Sequence, residues 1–163
     1  MEYKLRILGI DPGSQITGYG VVEKEGNNLR HVLHGEVKPR KSALLSEVLV
    51  SIYRDLSALL QETAPGAIAV ENIFYGKNVR SLIKQAQVRG LVIFTGASLG
   101  IPVFEYSPLE VKQAVVGYGR AEKRQVQIMV KAILKLSSLP PADAADALAV
   151  AVCHANFQKE QPI

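Results

Sequence analysis

Four carboxylates in this 163-residue chain stand where a solvated surface charge is out of place. Asp11 closes the apolar run LRILGI and is followed at once by Pro12-Gly13. Glu71 interrupts the run AIAVENIF, where the residues before it are apolar and an isolated carboxylate carries a heavy desolvation cost. Asp143 and Asp146 stand three apart in ADAADALAVAV, a spacing that puts both on one helix face with Cβ atoms roughly 5 to 6 Å apart. Four carboxylates within about 4 Å of one another repel by roughly 4 kcal/mol per pair at an effective dielectric near 20. Only cations hold that state ionised. A site built from carboxylate oxygens suits hard divalent ions, Mg²⁺ with Mn²⁺ as a substitute, rather than zinc. The histidines agree, since His31 and His34 belong to a strand-like run and are expected on mixed faces, and His154 falls about 16 Å beyond Asp143 along a helix axis. Two such ions roughly 3.5 to 4 Å apart clamp the attacking and leaving oxygens of a phosphodiester, one activating water and the other neutralising the departing 3′ oxygen. That is hydrolytic nuclease chemistry.

Each acid also has an architectural explanation when taken alone. Asp11 before Pro-Gly can start a turn, Glu71 can pair with a lysine, and Asp143 after Pro140-Pro141 can favour a helix N-terminus. Convergence of two strand-end acids with two acids of a covering helix explains all four together.

The elements that must position them are legible as patterns. KLRILGI, TGYGVVE and LRHVLHGEV are β-type runs separated by turn-forming DPGSQI and KEGNN, which predicts an antiparallel meander. Leu45, Leu49, Ile52, Leu56, Leu59 and Leu60 recur at helical spacing between Ser42 and Thr63, and Pro65-Gly66 ends that helix. AIAVENIF reads as a strand covered on both faces, a helix follows from about Asn78 to Leu99, and IPVFEY extends the sheet in parallel. SPLEVKQAVV, AEKRQVQIMVKAILKLSS and PPADAADALAVAVCHANF close the chain as helices. The sum is an α/β fold: a five-stranded mixed sheet of three meander strands plus parallel strands, with helices on both faces. One domain is expected over residues 1–157, followed by a short flexible tail at 158–163. Gly18 and Gly20 remove side chains beside Asp11, which fits either a close backbone or substrate approach or a bulge in the second strand.

A formal charge of +4 and an isoelectric point near 9.2 lean towards a polyanionic partner. The lone Cys153, in an apolar run, reads as a small buried hydrophobe in a reducing compartment. With no apolar stretch of membrane-spanning length and no signal-peptide pattern at the start, a cytoplasmic location is expected.

LGIDPGSQITGYGVV, AIAVENIFYGKN, QVRG, VFEYSPLEVKQAVVG, AEKRQVQIMV and ADAADALAVA together resemble the RuvC family of bacterial Holliday-junction resolvases, within the ribonuclease-H-like superfamily. The resemblance runs from Ile7 to His154, in order and spacing. It implies an acidic tetrad at Asp11, Glu71, Asp143 and Asp146 that holds two Mg²⁺ ions per site. It also implies a homodimer that nicks two opposed strands of four-way junction DNA, in recombination and repair, with the RuvAB branch-migration complex. Lys112 and Lys123 correspond to basic residues the family uses near the scissile phosphate. The connection VVGYGRAEK is expected to be mobile, placing Lys123 only when DNA binds. Phe74 corresponds to the aromatic that probes the opened junction centre, and Tyr75 beside it is a candidate for stacking on unpaired bases.

No acidic residue falls between Glu71 and Glu105, whereas Lys77, Arg80, Lys84 and Arg89 do, a basic interval suited to phosphates. The hairpin GIDPGSQITGYGVV also looks like the phosphate-binding hairpin of actin-like ATPases and sugar kinases, but those build their site between two such domains. A ribonuclease acting on RNA–DNA hybrids would use similar acids, and a non-catalytic junction-binding protein would be expected to lose some of them.

Overall fold

The computed structural model describes residues 3–73, 76 and 78–163. Phe74, Tyr75 and Lys77, three of the candidate DNA-contacting residues, lie outside the described residues. The chain opens with the meander β1 (Lys4–Asp11), β2 (Thr17–Glu25) and β3 (Asn28–Val37), paired antiparallel throughout. Then come α1 (Leu45–Thr63), β4 (Ala67–Glu71), α2 (Val79–Ser98) and β5 (Val103–Tyr106). Three helices follow, α3 (Pro108–Val116), α4 (Lys123–Ile133) and α5 (Ala142–Phe157). The sheet order is β3-β2-β1-β4-β5, with β4 parallel to both β1 and β5, so the expected mixed five-stranded sheet forms with β1 at its centre.

A strand buried on both faces carries apolar residues continuously, because alternate side chains enter different cores. In β1, Ile7 joins Val22, Ala69, Leu148 and Val152 beneath α3, α4 and α5. Leu8 and Ile10 point the other way, to Leu56, Leu60, Ile68, Val70 and Val92 beneath α1 and α2. Cys153 is buried in the first of these cores, its thiol 3.7 Å from the Glu110 carbonyl oxygen.

Helix ends depart modestly from the sequence pattern. α1 begins at Leu45 rather than Ser42, because Lys41-Ser42 forms a turn and the Glu47 carboxylate accepts from the Leu44 N–H at 2.8 Å. α4 stops at Ile133 rather than near Ser138, as Lys135 takes a left-handed conformation with φ of 52°. The first turn of α3 is held by a capping box, with the Ser107 hydroxyl accepting from Glu110 N–H at 3.2 Å and the Glu110 carboxylate accepting from Ser107 N–H at 2.6 Å.

The expectation of mixed faces for His31 and His34 is corrected. Leu33 pairs with Val21 but His31 pairs with Val22, so Val32 is an extra residue in β3. That bulge turns two residues three apart onto one face, and their rings meet with Nε2 of His31 2.8 Å from Nδ1 of His34. Beyond α5, the Lys159 N–H donates to the Tyr106 hydroxyl at 3.3 Å and the Ile163 N–H donates to the Val103 carbonyl at 2.9 Å. The last residues thus run along the outer edge of β5. No helix among the described residues is long and apolar enough to cross a membrane.

Candidate active site

The parallel register of β1 and β4 sets Ile10 beside Val70, so the next residue of each strand, Asp11 and Glu71, emerges at adjacent strand ends. α5 supplies the other two acids by lying on the sheet at backbone contact. Three glycines make that approach possible. A Cβ at Gly18 would collide with the Asp143 carbonyl oxygen, one at Gly9 with the Ala147 carbonyl oxygen, and one at Gly20 with the Leu148 side chain at 2.5 Å. The facing surface of α5 is equally lean, with Ala144, Ala147 and Ala151 fully buried. Close approach, rather than the alternative of a bulge, therefore accounts for Gly18 and Gly20; the bulge lies in β3 instead.

The seam delivers the first turn and a half of α5 over the end of β1. Carboxylate oxygens of Asp11, Asp143 and Asp146 all lie within 4.8 Å of one another. Glu71 falls outside that trio, yet its charge is, after burial, the largest cause that holds a proton on Asp11. Burial pushes Asp11 up to about 9, and the charges of Glu71, Asp146 and Asp143 add to the effect. Glu71 is raised to about 7, by burial and then by Asp146. Burial also raises Asp146, against the pull of Lys123.

The Lys123 ammonium stands 3.4 Å from Asp146 Oδ2, and that carboxylate is the main reason its own pKa is raised. Lys123 is thus already directed at the acids, whereas the sequence suggested placement only on DNA binding. Lys112, on α3, also favours ionisation of Glu71 and Asp146 through its charge. The cluster fits hard cations on its own chemistry. Its donors are all carboxylate oxygens, and without counter-charge Asp11 retains a proton at neutral pH.

Arg80 and Lys84 are exposed one turn apart at the start of α2, as the basic interval suggested. Arg89 is not with them: it turns inward to an ion pair with Glu105 of β5, the acid that ends the interval. Two contributors escaped the sequence reading. Gly9 was hidden among apolar strand residues, although its alignment opposite Gly20 repeats the pattern of Gly18 beside Asp11. Lys38 lies in the run VKPRK after β3 and is held mainly by Glu36 at 2.7 Å, yet Asp143 also acts on it.

Residues 7–154 match the family model described as "Crossover junction endodeoxyribonuclease RuvC". Among curated relatives of that name, the one from Geotalea uraniireducens is 54% identical over 152 residues, covering 93% of this chain and 89% of its own. The one from Geobacter sulfurreducens is 53% identical, covering 93% of each chain. The solved structure of Thermus thermophilus RuvC in complex with Holliday junction substrate superposes with a TM-score of 0.90 at 34% identity, covering 98% of this chain and 99% of that one. The yeast mitochondrial Holliday junction resolvase shares the fold at 11% identity, with a TM-score of 0.69. With the acids assembled on a ribonuclease-H-like sheet and the match spanning nearly the whole chain, this protein belongs to the RuvC family of crossover junction endodeoxyribonucleases.

Proposed function

We propose that this chain cuts four-way DNA junctions by metal-assisted phosphodiester hydrolysis at Asp11, Glu71, Asp143 and Asp146. It is a crossover junction endodeoxyribonuclease by family, serving DNA recombination and repair. The observation that carries the assignment of the site is the meeting of Asp11, Asp143 and Asp146 within 4.8 Å at one end of the sheet. These three residues and Glu71 would hold two Mg²⁺ ions, with Mn²⁺ as a substitute. Bound there, the ions supply an activated water and neutralise the charge on the leaving oxygen. Water oxygen bonds to phosphorus as the bond to the 3′ oxygen breaks, leaving a 5′-phosphate and a 3′-hydroxyl. Lys123 favours the ionised form of Asp146 against its burial, and Lys112 adds positive charge where the phosphate becomes more negative. The α5 seam holds Asp143 and Asp146 in fixed register with Asp11.

The protein works as a homodimer, one protomer for each of two opposed strands, in the cytoplasm and with the RuvAB complex. Support for a partner copy comes from α2, where Val79, Ile83 and Phe94 are 63%, 52% and 66% exposed along one side of the helix, with Gly90 open between them. Residues 1–157 form one nuclease domain. Phe74 and Tyr75 engage unpaired bases at the junction centre, and Lys77, Arg80 and Lys84 engage phosphates. The relative of known structure, described with a Holliday junction substrate, supports DNA junctions as the substrate class.

The test is cleavage of equal amounts of a four-way DNA junction, a linear duplex and an RNA–DNA hybrid, with Mg²⁺ and then with Ca²⁺. Paired symmetric nicks in the junction alone, present with Mg²⁺ and absent with Ca²⁺, are expected. Cutting of the hybrid, or tight junction binding without nicks in either metal, overturns the reading.

A further inference from the structure

The loop from 38 to 44, the β1–β2 loop and the first turns of α2 enclose a groove of about 670 Å³. It opens at the carboxylate end of the sheet, because Thr17 pairs with Val37 and Gly18 with Asp11. Five cationic side chains line it: Lys38, Arg40, Lys41, Arg80 and Lys84, all exposed. They come from two separate segments, and Ser14, Gln15 and Ser81 add hydrogen-bonding groups between them.

Two of the five are partly neutralised, Lys38 by Glu36 at 2.7 Å and Arg40 by Glu47 at 3.6 Å. Lys41, Arg80 and Lys84 have no carboxylate oxygen within 4.0 Å among the described residues. An excess of positive charge therefore collects in a concave surface, which focuses the field on a polyanion. Lys38 ties the groove to the acids, since it lies within the influence of Asp143. On the other flank of the acids stand Lys112 and Lys123. The carboxylates thus sit between two cationic regions, an arrangement in which a phosphodiester chain is held on both sides of the bond to be cut.

We propose that this groove grips the phosphate backbone of the junction arm beside the cut, on the side away from Lys112 and Lys123, with Arg40 and Lys41 of the β3–α1 loop as its outer wall. The assignment rests on the junction-cutting function above and extends the phosphate contacts of Arg80 and Lys84 across the groove to the β3–α1 loop. Contacts of this type are independent of base sequence and set the salt dependence of binding.

The experiment measures fluorescence anisotropy of a labelled four-way junction in Ca²⁺, titrated at several KCl concentrations. Replacing both cations in the variant Arg40→Ala/Lys41→Ala should weaken binding by about 10-fold or more and flatten the slope of log K against log salt by about 1.5 to 2, near 0.9 for each phosphate that is no longer neutralised. Arg40→Lys/Lys41→Arg should restore the slope. Lys4→Ala, at the opposite end of β1, removes one charge and should leave affinity and slope as they were. Wild-type affinity and slope in the double alanine variant overturn the groove, as does an equal loss in Lys4→Ala. If the unmodified protein neither binds the junction in Ca²⁺ nor nicks it in Mg²⁺, the junction-cutting function falls and the groove with it. If it does both while the double variant keeps its slope, the groove alone falls.

Discussion

Asp11→Asn should raise the stability of the metal-free protein at neutral and alkaline pH while abolishing cleavage. Burial and three neighbouring carboxyls push Asp11 from its ordinary 3.8 to about 9 in the folded chain. An acid with a raised folded pKa binds more protons folded than unfolded, so its contribution to stability is full below pH 3.8 and is lost as pH rises towards 9. Each pH unit in that interval costs about 1.4 kcal/mol. Between pH 7 and 8.5, clear of histidine titration, the difference between wild type and Asp11→Asn should therefore grow by about 2 kcal/mol. For a chain of this size that is a shift in Tm of about 4 to 8 °C. Thermal melts of both proteins in EDTA across that range give the slopes directly. Saturating Mg²⁺ should remove the alkaline loss in the wild type, because cation binding requires the ionised form and strengthens as pH rises. Parallel melting curves for the two proteins in EDTA would refute the claim that Asp11 is held protonated by its surroundings.

Three further outcomes follow from the same geometry. Asp143→Asn or Asp146→Asn should abolish cleavage and leave junction binding intact or tighter, measured by nicking and anisotropy on the same preparation; loss of folding would instead identify these acids as structural. Lys123→Ala removes the cation 3.4 Å from Asp146, so cleavage at pH 7 should fall by about 100-fold and the pH–rate profile move to higher pH as Asp146 and Glu71 become harder to ionise. An unmoved profile counts against that role. Gly18→Ala forces a methyl group against the Asp143 carbonyl, and should cost about 2 to 3 kcal/mol in denaturant unfolding and lower cleavage more than it lowers junction affinity.

The mixed five-stranded sheet and the two-sided burial of β4 were open to reading because each follows from local pattern. Apolar runs of strand length punctuated by Pro and Gly mark β1 and β4, and Asp143 and Asp146 share a face by helical arithmetic. What escaped depends on contacts between distant segments. Nothing local to Arg89 announces Glu105, sixteen residues on, as its partner. Nothing in NLRHVLHGEV marks Val32 as the extra residue that brings His31 to His34, since the bulge is defined only by pairing with β2. Lys38, Arg40 and Lys41 look like an ordinary solvated loop until α2 is folded opposite them. Gly18 could be given two meanings from sequence, and the choice between them needed the position of α5.

The seam of Gly9, Gly18 and Gly20 against α5 also bears on which ions the proposed metal site would accept. With main chain resting on main chain, the helix has little freedom to lift or slide, so the gap between its acids and Asp11 acts as a rigid gauge. Mg²⁺ binds oxygen at about 2.0 to 2.1 Å, whereas Ca²⁺ needs about 2.3 to 2.6 Å and more ligands. Accommodating the larger ion would require the carboxylates to spread, which the packed backbones resist. At the proposed Mg²⁺ site, discrimination between the two cations would then reside in glycines that carry no charge. A chain with a slackened seam would keep all its acids and lose its sense of ionic size.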